Sequence, residues 1–575
     1  MLTPQTLQKL PDDLIDLVSE VQTDIIKSIA KKLVKADYLT PSAEWQLYKA
    51  SQLKMSTKEI TAMLAEFTGK SKRQISKLYT DACKEAINND AKIYRTYGKD
   101  CSAALRSVAL SNTLKAGVKN ANGMTKNLCK SMVESSQATV THLMDKAWLK
   151  VQSGAFTYQD AIYDAVVELA KQGIATVTYP SGKTDWADVA VRRAVMTGIS
   201  QTAGQMQLDL AAEMDCDLVE VTAHMGARPS HALWQGKVYS ISGKSKKYPK
   251  LSTATGYGTG DGLKGWNCRH DFYPFFEGIS ERANLPVDVT ENNRQYELSQ
   301  KQRAMERSIR ATKRRLAAYD GAISETEDEV LKRRLQNQFE RHSAILKTKE
   351  KRLSEFCDTN DLYPEKDRVR VVGFNKSVSQ KAVYGNNRYF VKQMKSYGIE
   401  NPPKSLDIFE NMKYNNSPEY KLMNAYITSV KKGKISPLVG YDHYKKLHNE
   451  INNSLVGLTT TNGIEITGQS DHFIERVIGV IKDPDTGKKR LGVELQDIQD
   501  ALTNGKAMKP KISRDKNGNI LYDEDGNELD DSDPDKGKVL YQTQGTNDYQ
   551  FGMEMDGNFL QPKAETGVLI QCNPK

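Results

Sequence analysis

The strongest constraint on this chain is a spacing. Through residues 1–178 apolar side chains recur at three- and four-residue steps, as at Leu14, Leu17, Val18, Val21, Ile25 and Ile29. That period gathers them on one stripe of an α-helix, and such a stripe must be buried. Residues 124–153 and 158–172 continue the pattern. Thr40-Pro41 reads as a helix start, and Ser56-Thr-Lys-Glu59 as a capping box opening the next helix. The stretch predicts consecutive helical arms that pack on one another or on partner subunits.

At 575 residues the chain is too long for one core, and two to four domains are expected. No apolar run approaches the roughly 18–20 residues of a membrane span, so no membrane partner is expected. The start, Met1-Leu-Thr-Pro-Gln, lacks the basic-then-apolar order of a secretory signal. The 7 cysteines are scattered without a Cys-x-x-Cys pair, which predicts free thiols and synthesis in a reducing cytoplasm. A net charge of +10 over this length permits contact with nucleic acid without requiring it.

Beyond the turn Tyr179-Pro-Ser-Gly182, residues 185–213 read as a helix. Arg192 and Arg193 sit early on it, either solvated or in ion pairs. Leu218-Val-Glu-Val-Thr-Ala223 alternates and is the first convincing strand. Trp234 and Tyr239 are expected to anchor a compact α+β unit. The glycine-rich passage 252–265 lacks the Gly-x-x-x-x-Gly-Lys-Ser/Thr order, so it predicts a loop rather than a phosphate cradle. Cys268 and His270 place two zinc-ligand types on one short segment, and His224 and His231 could complete a tetrahedron. The spacing matches no standard zinc site, so the expectation is core and turn residues, with His231, Cys268 and His270 as weak metal candidates and no cofactor.

Residues 296–319 and 331–356 predict an antiparallel, coiled-coil-like helical hairpin, with Ser324-Glu-Thr-Glu327 as a second capping box. Its basic outer faces are solvated or lie near nucleic acid. Residues 366–456 read as a connector with short helices, broken at Asn401-Pro402-Pro403 and Asn415-Asn416-Ser417-Pro418. From about residue 459 the pattern turns α+β, with Gly463-Ile-Glu-Ile-Thr467 as a strand. Ser470 then caps a helix over 471–478 that buries Phe473, Ile474, Val477 and Ile478. His472 and Arg476 stand four residues apart on the other face, with Glu475 nearby. A histidine can move a proton to or from a 2′-hydroxyl or leaving oxygen, and an arginine can hold the phosphate. A second helix is expected over 492–502, and strands near 538–541, 549–551 and 567–571. Asp515-Lys-Asn-Gly518 and Asp523-Glu-Asp-Gly526 repeat a hairpin-turn signal without the EF-hand order.

Two resemblances carry further. Val191-Arg192-Arg193, Arg228-Pro-Ser-His231, and Gly265-Trp266-Asn267-Cys268-Arg269-His270-Asp271 resemble the phage minor capsid protein 2 and Mu-type head-morphogenesis family. Glu297-Leu-Ser-Gln300-Lys-Gln302-Arg303 resembles the end of that domain, so the likeness covers about two thirds of the chain. It implies a minor protein of the phage or prophage head, made in the host bacterial cytoplasm, located in the virion, with portal and capsid proteins as partners. The later order of helix, helix and sheet resembles the barnase–EndoU–colicin–RelE nuclease class found in polymorphic toxins. There His472-x-x-x-Arg476 matches the first-helix motif, which implies RNA as substrate, His472 and Arg476 as catalytic residues, and an immunity protein as a partner, while Glu475 is a third catalytic candidate by its place beside them. The pattern departs in the last strand, where 567–573 holds no Ser or Thr and Thr566 lies just before it. The chain is thus expected to be multidomain and mainly α with α+β parts. The expected segments are a minor capsid domain of helical arms plus an α+β core over 1–285, a basic hairpin stalk over 286–358, a helical connector over 359–458 and a nuclease-like domain over 459–575. A head-morphogenesis protein carrying a ribonuclease domain is the leading reading, and an RNA-cleaving effector the alternative.

Overall fold

The computed structural model describes residues 2–174, 177–178, 184–461, 463–507, 538–542, 549–554 and 567–574. The turn at 179–182, the repeat within 508–537 and Thr566 lie outside the described residues. The chain forms two units, Met1–Asn386 and Asn387–Lys575.

The first unit begins with α1 (Pro4–Lys9) and α2 (Asp12–Lys35). Leu14, Val18, Ile25 and Ile29 of α2 are buried, as their spacing requires. Next come α3 (Ser42–Thr96), α4 (Val108–Gln152) and α5 (Tyr158–Gln172). The box at 56–59 opens no helix, because α3 runs through it. Thr57 Oγ1 donates to the Leu53 carbonyl, and Glu59 is taken by Ser28 at 2.9 Å and Lys32 at 2.7 Å from α2. Helices α3 and α4 are pinned by Trp45, which stacks on Trp148 with centroids 5.4 Å apart while its Nε1 donates to Asp145.

After the short pair β1 (Val177–Thr178) and β2 (Thr184–Asp185) comes α6 (Ala187–Glu213). Arg192 pairs with Asp12 at 2.7 Å and Arg193 pairs with Asp185, so neither is merely solvated. A small α+β layer follows: β3 (Leu218–Val221), α7 (Pro229–Ala232), β4 (Val238–Ser240), α8 (Leu251–Thr255) and β5 (Phe272–Pro274). Strand β3 is central and antiparallel to both neighbours. Val219, Val221, Trp234, Tyr239, Cys268 and Phe272 form its core. The glycine-rich passage folds tightly on itself. A Cβ on Gly262 would lie 2.0 Å from the Gly256 carbonyl oxygen, and one on Gly265 2.3 Å from that of Gly260. Close backbone packing is what these glycines permit.

The hairpin forms as α9 (Val289–Glu325) and α10 (Glu329–Thr359), but it is no free stalk. Ile309, Leu316, Leu335 and Phe339 share one core with α2. Asp328, rather than the expected box, caps α10 by accepting from Leu331 N. The hairpin's basic faces are partly turned inward. Arg310 and Arg314 hold the buried Asp188 of α6 at 3.1 and 2.9 Å. Burial works to raise that carboxyl, but the two guanidinium groups outweigh it and keep it below its usual range.

Helix α11 (Lys376–Ser396) crosses the division between units. The second unit holds α12 (Leu406–Tyr414), α13 (Pro418–Lys431), α14 (Tyr441–Leu455), α15 (Asp471–Ile478) and α16 (Leu495–Asn504). Its sheet comprises β6 (Gly468–Gln469), β7 (Lys506–Ala507), β8 (Lys538–Gln542), β9 (Tyr549–Glu554) and β10 (Val568–Pro574), in the order β6-β10-β9-β8-β7. Only the β6–β10 pairing is parallel among them. The segment 463–467 makes a single bridge, Thr459 with Glu465, and the strand starts later at Gly468. The expected connector is divided, with 359–386 in the first unit and 387–458 in this one. Tyr426 and Tyr444, from α13 and α14, join Phe473, Ile474, Leu502 and Leu569 in one core.

Candidate functional site

Helix α15 carries the site that the sequence singles out. Ser470 caps it by accepting from Phe473 N at 3.2 Å, which fixes the first turn and so the direction of His472. Phe473, Ile474 and Val477 are buried, Ile478 is only half-buried, and the His472 side chain remains 40% exposed. His472 Nδ1 lies 3.2 Å from Glu475 Oε2, and Arg476 Nε donates to His472 Nε2 at 3.3 Å. A donor at Nε2 and an acceptor at Nδ1 set the tautomer: Nδ1 carries the hydrogen and Nε2 the lone pair.

Glu475 is not on the solvent face. It is buried, and its Oε1 accepts from Ser429 Oγ of α13 at 2.6 Å. Burial works to raise its carboxyl. The hydrogen bonds from His472 and Ser429 outweigh that and hold it below the usual range. The arrangement is a carboxylate that orients an imidazole whose free nitrogen meets a guanidinium.

Three neighbours escape a reading confined to the helix. They are Ser429, Arg490 and Cys572. Arg490, held by Asp483 at 3.2 Å, is a largely buried cation close enough to Arg476 for the two to repel. Burial pushes the Cys572 thiol of β10 up to about 12, against the pull of Arg476 and Arg490. Strand β10 thus carries a cysteine and no Ser or Thr.

In the first unit His231, Cys268 and His270 are brought together, all buried, with one ligand atom of each within 4.8 Å of the others. His231 and His270 border a small cavity of about 110 Å³ that also touches His224 and Arg303. A larger cavity of about 500 Å³ lies alongside, lined by 8 arginines and 4 carboxylates. Burial and the neighbouring Arg269 and Arg368 lower Arg303 to about 10.

A helical unit joined to a three-stranded layer, followed by a unit with its own sheet, defines a multidomain, mainly helical protein. The comparisons give its family. The model for phage minor capsid protein 2 matches residues 2–358, and the chain belongs to that family. It is 26% identical over 309 residues to a structural protein of Lactococcus phage LL-H, covering 51% of this chain and 81% of that protein. It is 40% identical over 72 residues to a structural protein of Lactococcus phage mv4, covering 12% of this chain and 58% of that one. No solved structure matches significantly. This is therefore a phage structural protein that associates with other components of the virion. Among the described residues no helix is long and apolar enough to cross a membrane.

Proposed function

We propose that this protein is a minor component of the phage or prophage head, acting in head morphogenesis beside the portal, and that its second unit is a metal-independent ribonuclease. The first half rests on the family and on the helical first unit. The second rests on one observation: His472 sits exposed between a buried, anchored Glu475 and Arg476. In the reaction, His472 Nε2 takes the proton of the RNA 2′-hydroxyl. The 2′-oxygen attacks phosphorus, the bond to the 5′-oxygen breaks, and that oxygen takes a proton from water. Arg476 leaves the imidazole for the phosphate and stabilises its developing charge. Glu475 holds the hydrogen on Nδ1 and so leaves the lone pair on Nε2. Packaged DNA carries less weight as a partner, because Arg310 and Arg314 of the hairpin are engaged by Asp188.

The test is cleavage of total RNA by the full chain in EDTA. His472→Ala should lower the rate by about 10²–10⁴. Arg476→Lys should weaken it, since a point charge does not replace the guanidinium fork. A wild-type chain that leaves RNA intact defeats the ribonuclease reading, and a requirement for magnesium defeats the mechanism. Co-sedimentation with the portal protein tests the head reading, and independent migration at every ratio would count against it. Growth arrest relieved by a small neighbouring gene would favour an effector with an immunity protein.

A further inference from the structure

We propose that His231, Cys268, His270 and His224 form a zinc site that ties the two ends of the α+β layer together. The hydrogen-bond network fixes which nitrogen of each ring is free. The backbone N–H of His224 donates to Gln235 Oε1 at 3.0 Å, so that atom is the amide oxygen. His270 Nε2 lies 2.9 Å from the same oxygen and must donate to it, which leaves the lone pair on Nδ1. That Nδ1 is 3.5 Å from Cys268 Sγ. Zinc bonds of about 2.3 Å to sulfur and 2.0–2.1 Å to nitrogen, at a tetrahedral angle, separate the two ligands by about 3.5–3.6 Å.

His231 repeats the pattern. Its Nε2 donates to the Asp261 carbonyl at 2.8 Å, so Nδ1 holds the lone pair. The His231 and His270 rings are 5.4 Å apart between centroids, at 60°. Two imidazoles on one tetrahedral ion stand about 5 Å apart by the same bond lengths. His224 is the fourth ligand proposed, and it stands outside the trio whose ligand atoms lie within 4.8 Å of one another. Its Nδ1 donates to the Met225 carbonyl at 3.1 Å, and its Nε2 is buried without a hydrogen-bond partner. A buried bare nitrogen needs an explanation, and a cation supplies it. The His224 ring lies flat on His270 at 4.4 Å, closer than two ligands of one ion stand, so metal entry would open that pair slightly.

A plain S–H···N bond between Cys268 and His270 accounts for one contact and leaves the other two histidines unexplained. All three imidazoles already give their second N–H to an oxygen of the protein, the arrangement that orients histidine ligands. One thiolate with three imidazoles selects zinc among common divalent ions, and the thiol proton goes to solvent on binding. Trp234 walls the site, with its ring 4.6 Å from His231 and 4.8 Å from His270. The ion would bridge the segment after β3, helix α7 and the approach to β5.

The experiment is elemental analysis of the purified full chain, with cobalt substitution as a second readout. The expected result is one zinc per chain, replaceable by cobalt with a sulfur-to-cobalt charge-transfer band. Cys268→Ser should lose the metal, and Cys129→Ser, away from the site, should keep it. Gln235→Ala should weaken zinc binding about 10- to 100-fold while leaving all four ligands in place. Because Cys268→Ser can fail to fold, the cobalt spectrum of the unaltered chain is decisive on its own. A folded chain that takes up no zinc on dialysis and shows no charge-transfer band overturns the site. So does stoichiometric zinc retained by Cys268→Ser.

Discussion

Lys264→Met is the sharpest test of how the first unit is held together. Lys264 Nζ donates to Asp271 Oδ1 at 2.6 Å, and the two side chains are 1% and 0% exposed. Asp271 Oδ1 also accepts from Phe272 N at 2.8 Å, and Oδ2 from Leu2 N at 2.9 Å. Lys264 adopts a left-handed φ of 62°, which costs roughly 1–2 kcal/mol. Gly204 of α6 leaves room for the lysine stem, since a Cβ there would lie 3.2 Å from Lys264 Cε. At an effective dielectric of about 20, the pair attracts by about 6 kcal/mol, which the desolvation of two ions largely cancels. The intact pair is therefore worth little, and a single deletion is costly. Methionine fills the stem volume but leaves a buried carboxylate with two backbone N–H groups as its only assigned partners. Its neighbour Asp90 is itself pushed well up by burial and by Asp271.

The expected loss for Lys264→Met is about 3–5 kcal/mol, with a similar loss for Asp271→Asn. The double variant should recover part of it, giving a coupling of about 2–3 kcal/mol. All 5 tryptophans, at positions 45, 148, 186, 234 and 266, lie in Met1–Asn386. Tryptophan fluorescence during guanidinium unfolding therefore reads this unit alone. A Lys264→Met midpoint within about 1 kcal/mol of the parent would refute the argument, as would a double variant that costs the sum of the two singles.

Acid should loosen the same unit through His342, which burial, with Arg315 and Arg341 nearby, lowers to about 4. Its Nδ1–H is used by the Gln338 carbonyl and its Nε2 accepts from Arg315, so no site is left for a second proton. A base depressed in the folded state favours folding above its unfolded pKa of about 6.5. That stability drains away as pH falls toward the folded value, by about 3 kcal/mol in all. His342→Gln should flatten the pH dependence of the fluorescence midpoint between pH 7 and 4, and an unchanged slope would place the acid sensitivity elsewhere. Gly262→Ala should lower the melting temperature, because its Cβ would meet the Gly256 oxygen at 2.0 Å. Gly69→Ala should raise stability by about 0.5–1 kcal/mol, since it lies inside α3 with nothing within 4 Å of the new methyl group.

What the sequence displays well is periodicity. The stripe of α2, both hairpin helices and the apolar face of α15 follow from it, since a spacing of three and four residues needs no partner to be read. What it displays poorly is where a polar side chain spends its hydrogen bonds. Ser56 to Glu59 has the letters of a cap, yet Glu59 is claimed by Ser28 and Lys32 of another helix. Arg310 and Arg314 have the look of a solvated basic face, yet both converge on Asp188, more than a hundred residues earlier. The proposed catalytic helix shows the same limit. The four-residue step placed His472 beside Arg476 correctly and set Glu475 near them. It could not reveal that Ser429, in a segment read as a connector, anchors that carboxylate at 2.6 Å. The consequence is testable within the ribonuclease reading. Ser429→Ala removes one bond that holds Glu475 below its usual range, so Glu475 should titrate higher. The acid limb of RNA cleavage should then move to higher pH while activity near neutrality is largely kept. An acid limb that stays in place would show that Glu475 does not govern His472.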